Sequence, residues 1–422
     1  MIRALLLTFC AVCASLFCSA QEGPPIVINA ATVFDGAGHV LRDVRILVRR
    51  GKIESVKQHA PAGSAASPSN YDLRGLTVMP GWIDTHVHIT WHFGPNGRLE
   101  DKSETPAQAA YAMEGNANKT LLAGFTTIQS LGSPDDKDLR DAIDRDVIPG
   151  PRILTALEPI EDAKMTPDEI RAHVKKMKAE GADEIKIFAS GSIRQGGKRT
   201  LTDEQLSAAC GEAKQRGLRS VVHAYGPAVG AAAEAGCTSV EHGTLTTDDD
   251  LRSLAQHGIF FDPQVGLVIH NYLDNKARFL GIGSYTEEGF AKMQEALPLN
   301  ADLFRRALKI KGLKIVFGTD AVAGAHGRNA EEFIYRVQDG GQNAMSAMVS
   351  ANSLAAESLG LQKHIGEIAP GMDADIIALD GDPREDITAV RRVVFVMKNG
   401  HVYKNERIQP KSPPKNERHV HP

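Results

Sequence analysis

Apolar residues fall in short alternating runs near both ends of the chain and in longer unbroken runs through its centre. Alternation marks strands with one buried face, and short unbroken runs mark strands buried on both faces. Near the start, Ile26-Val27-Ile28 and Thr32-Val33-Phe34 lead into the turn residues Asp35-Gly36-Ala37-Gly38. Val44-Arg45-Ile46-Leu47-Val48 follows, Arg49-Arg50-Gly51-Lys52 turns, and Ile53-Glu54-Ser55-Val56 resumes the strand pattern. The Pro-, Ala- and Ser-rich piece from Ala60 to Asn70 reads as a loop. The same texture returns late, in Ala374–Leu379 and Val393–Met397, with Lys398-Asn399-Gly400-His401 as a hairpin turn. These runs predict one small composite β-sandwich domain formed by both chain ends, residues 24–78 and 366–405.

Between them, strands and helices alternate. Apolar strand candidates lie at 78–84, 124–130, 152–157, 183–189, 219–223, 238–242, 259–264 and 314–319. Helix-start signals such as Thr166-Pro167-Asp168-Glu169 and Thr202-Asp203-Glu204-Gln205 separate some of them. Eight such units over 79–365 predict an α/β fold, a (β/α)8 TIM barrel, with its active site at the C-terminal strand ends. The competing doubly wound sheet would want a glycine-rich dinucleotide fingerprint after an early strand, and none is present.

The first twenty residues change the picture of where the protein works. Arg3 precedes a nearly unbroken apolar run from Ala4 to Phe17, and Cys18-Ser19-Ala20 supplies small residues before Gln21. Residues 1–20 are therefore expected to be a signal peptide, with a secreted or periplasmic mature protein. A lipid anchor through Cys18 is the alternative. Loss of that segment leaves only Cys210 and Cys237, which make no disulfide framework, so stability must come from a large core. Loss of Arg3 moves the formal charge from −4 to −5. That modest acidity argues against nucleic acid or an anionic membrane as partner, leaving a small-molecule substrate. From 406 the polar, proline-bearing tail to 422 is expected to be disordered.

The chemistry starts at Pro80-Gly81-Trp82-Ile83-Asp84-Thr85-His86-Val87-His88. On a strand, His86 and His88 share a face and can chelate one metal ion. An HxH pair alone is weak, and His419-Val420-His421 in the tail is a decoy lacking a rigid strand. Further strand ends add Lys186, His223, His242 and Asp320. A lysine on the inner face of a barrel is costly unless it is paired or modified. Around them, Tyr225, His326 in Gly324-Ala325-His326-Gly327, and Arg194 are the candidates for binding substrate, with Lys198, Arg328 and His270 as weaker ones. Trp91, His92 and Phe93 either wall the pocket or pack beneath the first loop.

These motifs, with Glu184-Ile185-Lys186, His223-Ala224-Tyr225-Gly226, Glu241-His242-Gly243, Gly318-Thr319-Asp320 and the stretch from Gly366 to Asp375, resemble the amidohydrolase superfamily. The resemblance covers about 24–405 and is nearest the imidazolonepropionase-related branch with binuclear Xaa-Pro and Xaa-Arg dipeptidases and ochratoxin-type amidases. It implies two divalent metal ions, expected to be zinc. His86, His88 and Asp320 would hold one, His223 and His242 the other, and carbamylated Lys186 would bridge them. It also implies that Asp320 is the catalytic proton carrier, that Tyr225 helps bind a substrate carboxylate, and that a homo-oligomer forms. Hydrolysis of a dipeptide, an N-acyl amino acid or an ochratoxin-like aryl amide is the expected activity. The alternatives are a cyclic amide, lactone or ester hydrolase with the same centre, or a metal-binding protein without turnover.

Overall fold

The computed structural model describes residues 24–58, 70–99 and 102–406. The signal segment, most of the 60–70 loop, the tail beyond 406 and its HxH pair lie outside them.

The chain opens with β1 (Ile26–Phe34), β2 (Val40–Arg49), β3 (Lys52–Gln58), β4 (Tyr71–Asp72) and β5 (Thr77–Pro80). It continues through β6 (Trp82–Val87), β7 (Phe125–Ser130), β8 (Arg152–Thr155), β9 (Glu184–Phe188), β10 (Arg219–Ala224), β11 (Ser239–His242), β12 (Phe260–Asp262) and β13 (Lys314–Ile315). It closes with β14 (Ile376–Leu379), β15 (Val393–Lys398) and β16 (His401–Asn405).

Both chain ends meet in one mixed sheet of order β16-β15-β14-β5-β1-β2-β3, with β4 beside β1. The expected sandwich would pair as two sheets, but β5 joins the halves, running parallel to β1 and antiparallel to β14. The inward residues Ile28, Val33, Ile46, Val78, Ile376 and Phe395 form its core. The Asn399-Gly400 turn sits where the sequence puts it, both residues at positive φ, 48° and 78°, as a two-residue hairpin requires.

The run 78–84, read as one strand, is split between two sheets. Gly81 donates its N–H to Asp375 O and Trp82 to Gly124 O, so consecutive amides serve different partners. Only glycine fits the crossing, because a Cβ at Gly81 would collide with the Thr126 side chain.

The central strands are parallel, β6-β7-β8 in one sheet and β9 to β13 in sequential order in the other. Pairing continues across both seams. Ile160 N–H reaches Lys186 O at 2.9 Å and Phe188 N–H reaches Ile160 O at 2.8 Å. On the other side, Asp320 N–H reaches His86 O at 2.7 Å and His88 N–H reaches Ala321 O at 2.8 Å. Hydrogen bonding thus passes round eight parallel strands, and the segment 316–321 leaves the β12 ladder to close onto β6. This is why β13 is shorter than the expected 314–319.

The helices that return between strands start where the caps predict. Thr166 and Thr202 cap Pro167–Glu180 and Asp203–Gln215 in reciprocal capping boxes with Glu169 and Gln205. Cys210 and Cys237 are bonded to each other, tying the second of these helices to the turn before β11. No helix among the described residues is long and apolar enough to cross a membrane.

Candidate active site

Six side chains converge at the C-terminal ends of the ring strands. Ring centroids lie 5.4 Å apart for His86 and His88, 5.2 Å for His86 and His242, and 4.6 Å for His223 and His242. Asp320 Oδ1 is 3.4 Å from His86 Nε2 and 3.2 Å from His88 Nε2, and Lys186 Nζ is 3.4 Å from His86 Nε2. One donor atom each from His86, His242 and Asp320 fall within 4.8 Å of one another.

The backbone is bent to achieve this. His242 and Asp320 both have positive φ, 68° and 52°, a left-handed conformation that costs a non-glycine residue about 1–3 kcal/mol and clusters at functional sites. Gly318 lets the bend pass, since a Cβ there would strike the Asp262 carboxylate.

Protonation is set by what lies beneath. His86 Nδ1 meets Glu241 Oε2 at 2.9 Å, with both side chains buried. An acceptor there fixes the proton on Nδ1 and leaves the Nε2 lone pair facing Asp320 and Lys186. Burial keeps His86, His223 and His242 neutral, well below the usual imidazole range. Burial also lowers the Lys186 ammonium, against the pull of Glu241 and Asp320. For Asp320 burial works toward the acid, and positive charge at His86 and His88 would override it and hold the carboxyl well below its usual range. With His86 neutral, that charge has to come from another cation. His223 Nε2 is buried with no hydrogen-bond partner among the described residues. Lone pairs facing a carboxylate are repulsive unless a cation lies among them. The donor set therefore suits divalent cations held by nitrogen and oxygen ligands.

A second layer of buried polar groups, missed in the sequence, supports the first. Burial pushes Glu241 up to about 7 and lifts Asp262 well above the carboxylate range. Arg336, itself 0% exposed, pairs with Asp262 at 3.0 Å and with Glu332 at 3.4 Å. Glu332 in turn accepts the backbone N–H groups of Val265 (2.6 Å), Gly266 (3.2 Å) and Leu267 (2.9 Å), at the start of the helix Leu267–Asp274. One cation thus braces both the floor under His86 and the loop that walls the cavity. On the other side, Asp84 accepts from Thr319 Oγ1 at 2.6 Å and Asn329 Nδ2 at 2.7 Å, pinning the turn that carries Asp320.

The substrate candidates separate. Tyr225 stacks on His242, rings 5.2 Å apart and 6° from parallel. Tyr225, Arg194, His242 and Asp320 line one narrow cavity. His326 is not among its lining residues. Its Nε2 donates to Trp91 O at 3.0 Å, burial pushes it down to about 3, and it borders a separate, larger cavity with Lys119 and Arg391. His270 stacks on Tyr335 away from the site, Arg328 pairs with Glu331, and Lys198 is exposed. Trp91 contacts the His88 ring, whereas His92 binds Glu104 and Phe93 packs on Phe279, so that stretch mainly underpins the first loop. The cavity wall also includes Tyr272 and Met293, and Tyr285 lies against Arg194. No motif marks these residues; the only signal was an aromatic within the helical run after β12.

Parallel strands carrying buried histidine, lysine and aspartate side chains at one end, with returning helices, define a hydrolase-type metal site, and the comparison with known proteins gives its family. The amidohydrolase family matches residues 77–403, and the chain belongs to it. It is a hydrolase acting on amide or peptide bonds. Ochratoxinase of Aspergillus niger is 24% identical over 442 residues, spanning 93% of this chain and 89% of its own. A Xaa-Pro dipeptidase solved with methionine in its active site superposes with a TM-score of 0.80 at 29% identity, covering 90% of this chain and 100% of that one. A prolidase complexed with N-methylphosphonate-L-proline gives 0.78 at 25%, over 91% and 100%.

Proposed function

We propose that this chain is an exported, binuclear metal-dependent amidohydrolase cleaving a dipeptide or N-acyl amino acid with a free carboxylate. Supporting this reading is the meeting of His86, His242 and Asp320 donor atoms beside Lys186, above a layer that keeps the imidazole lone pairs free. We read the eight parallel strands as a (β/α)8 barrel over 79–365, and 24–78 with 366–405 as its companion β domain. Residues 1–20 would direct export to the periplasm or beyond, and the protein would work as a homo-oligomer.

His86, His88 and Asp320 would hold one divalent ion, zinc in the first instance, and His223 and His242 the second. Lys186 would serve both through a carbamate formed with carbon dioxide, a reaction that needs the neutral amine its burial favours. When bound, the ions supply Lewis acidity that polarises the carbonyl and makes water a nucleophile near neutral pH. Asp320 accepts the proton of the attacking water and passes it to the leaving nitrogen. Glu241 holds the His86 tautomer, and Tyr225 lies over His242, where it can orient the substrate.

Metal analysis of the purified protein, run with turnover of Xaa-Pro dipeptides, N-acyl amino acids, an ochratoxin-like aryl amide and lactone controls in bicarbonate buffer, tests the reading. Two equivalents of metal per chain and amide turnover are expected. A protein with one equivalent or none, or one that opens only lactones, would refute it.

A further inference from the structure

Arg194 is held in an unusual way for a cation facing a cavity. It lies on the 3-10 turn Ile193–Gln195 and is partly buried. Its Nε donates to Ser284 Oγ at 3.0 Å. Its guanidinium lies 4.1 Å from the Tyr285 ring centroid and 5.5 Å from that of Tyr272, and the two phenols hydrogen-bond to each other at 3.1 Å. The aromatic faces fix the plane and Ser284 takes the Nε donor, which leaves the Nη edge. Among the described residues no carboxylate pairs with Arg194. A desolvated guanidinium without an anion is costly, and a planar fork with two parallel donors matches a carboxylate.

Among the described residues, the rest of the cavity carries no second acid to compensate a cation. Its lining holds Ile193, Val268, Ile269 and Met293 as apolar wall, and Thr244, Gln264 and Asn300 as neutral dipoles. Asp320 is the one carboxylate among its described lining residues and is already engaged with His86 and His88. A lysine or arginine side chain entering there would sit beside Arg194 with no counter-charge, whereas an apolar side chain would meet Val268 and Met293.

We infer that Arg194 makes this site selective for a leaving amino acid with a free carboxylate and an uncharged side chain, excluding C-terminal lysine and arginine. The inference rests on the hydrolase reading above, and it names the half of the substrate that the cavity takes.

The test uses the metal-loaded full-length enzyme and three N-acyl series: leucine, leucinamide and lysine as the leaving group. The free leucine substrate should exceed the amide and the lysine substrate by about 100-fold or more in kcat/KM. Arg194→Gln should collapse the carboxylate-to-amide ratio to within about tenfold, Arg194→Lys should fall between, and Met293→Glu should raise the lysine substrate relative to leucine. Equal rates on leucine and leucinamide, or preference for lysine, overturn the inference while leaving amide hydrolysis intact. Calorimetry with free L-leucine, leucinamide and L-lysine reads the same pocket without turnover. Binding of leucine alone, lost in Arg194→Gln, supports the selectivity even if no tested amide is cleaved. Leucinamide or lysine binding as tightly as leucine refutes it, so failure of the activity and failure of the selectivity are seen separately.

Discussion

The histidine, lysine and aspartate cluster and the cavity wall meet at His242 and Asp320 and are built in opposite ways. His86, Lys186, His223 and His242 stand on β6, β9, β10 and β11. Strands β10 and β11 have ladders on both sides, and β6 and β9 a ladder on one side and the seam hydrogen bonds on the other. The wall comes from non-strand segments: Arg194 from a 3-10 turn, Tyr272 from Leu267–Asp274, Met293 from Glu287–Ala307. Strand ends give the chemistry a rigid frame, while loops and short helices can change shape and charge without disturbing it. The two are coupled at Arg336, whose carboxylate partners reach under His86 and into the start of Leu267–Asp274.

The sharpest break between the halves is Asp320→Asn. It should cost about 10⁴-fold in kcat with the melting temperature nearly unchanged; turnover within tenfold of wild type in a metal-replete variant would remove its assigned role. Next comes the coupling point. Arg336→Met strands two buried carboxylates and should destabilise the fold by about 3–5 kcal/mol in denaturant titration, impairing wall and cluster together. If only substrate affinity changes, the two halves are not linked through this residue.

A smaller effect tests the start of the helix Asp136–Asp144, where Asp136 meets Thr155 at the end of β8. Burial raises Asp136 to about 6 from 3.8, and its Oδ1 is buried without a partner among the described residues. The folded state binds this proton more tightly than the unfolded chain, so the group opposes folding as pH rises from about 4 to 6 and stays unfavourable above that. Asp136→Asn should flatten that segment of the stability–pH curve by up to about 3 kcal/mol, read from denaturation midpoints at pH 4 and 7. Smallest is Glu241→Gln, which removes the charged acceptor behind His86. It should weaken metal binding by about 10–100-fold, measured by chelator competition, with discrimination between leucine and leucinamide unchanged. Loss of that discrimination would show that cluster and wall are not separable.

How much was legible follows the same division. The strand-borne residues announced themselves because each ends an apolar run, and the eight runs map onto β6–β13 almost one for one. The Thr166 and Thr202 caps and the Asn399-Gly400 hairpin were equally readable, since each is a local rule acting over a few residues. The split at Gly81 was hidden: nothing local shows that Thr126 lies against it. His326 looked close to the chemistry because it follows Asp320 in the chain, but the turn directs it to Trp91.

The sequence by itself determined the alternation of strands and helices, the composite sheet made from both ends, and the set of polar residues at the strand ends. Each of these is written in periodicity, caps and residues a few positions apart. Only the tertiary structure decided which protons those residues carry, because Glu241 and the surrounding burial act through space. It also decided which arginine faces the cavity: Arg194 finds Ser284, Tyr272 and Tyr285 from segments some eighty to ninety positions away. Desolvation and charge pairing depend on distance in the folded chain, not along it, and that part of the function is absent from any local pattern.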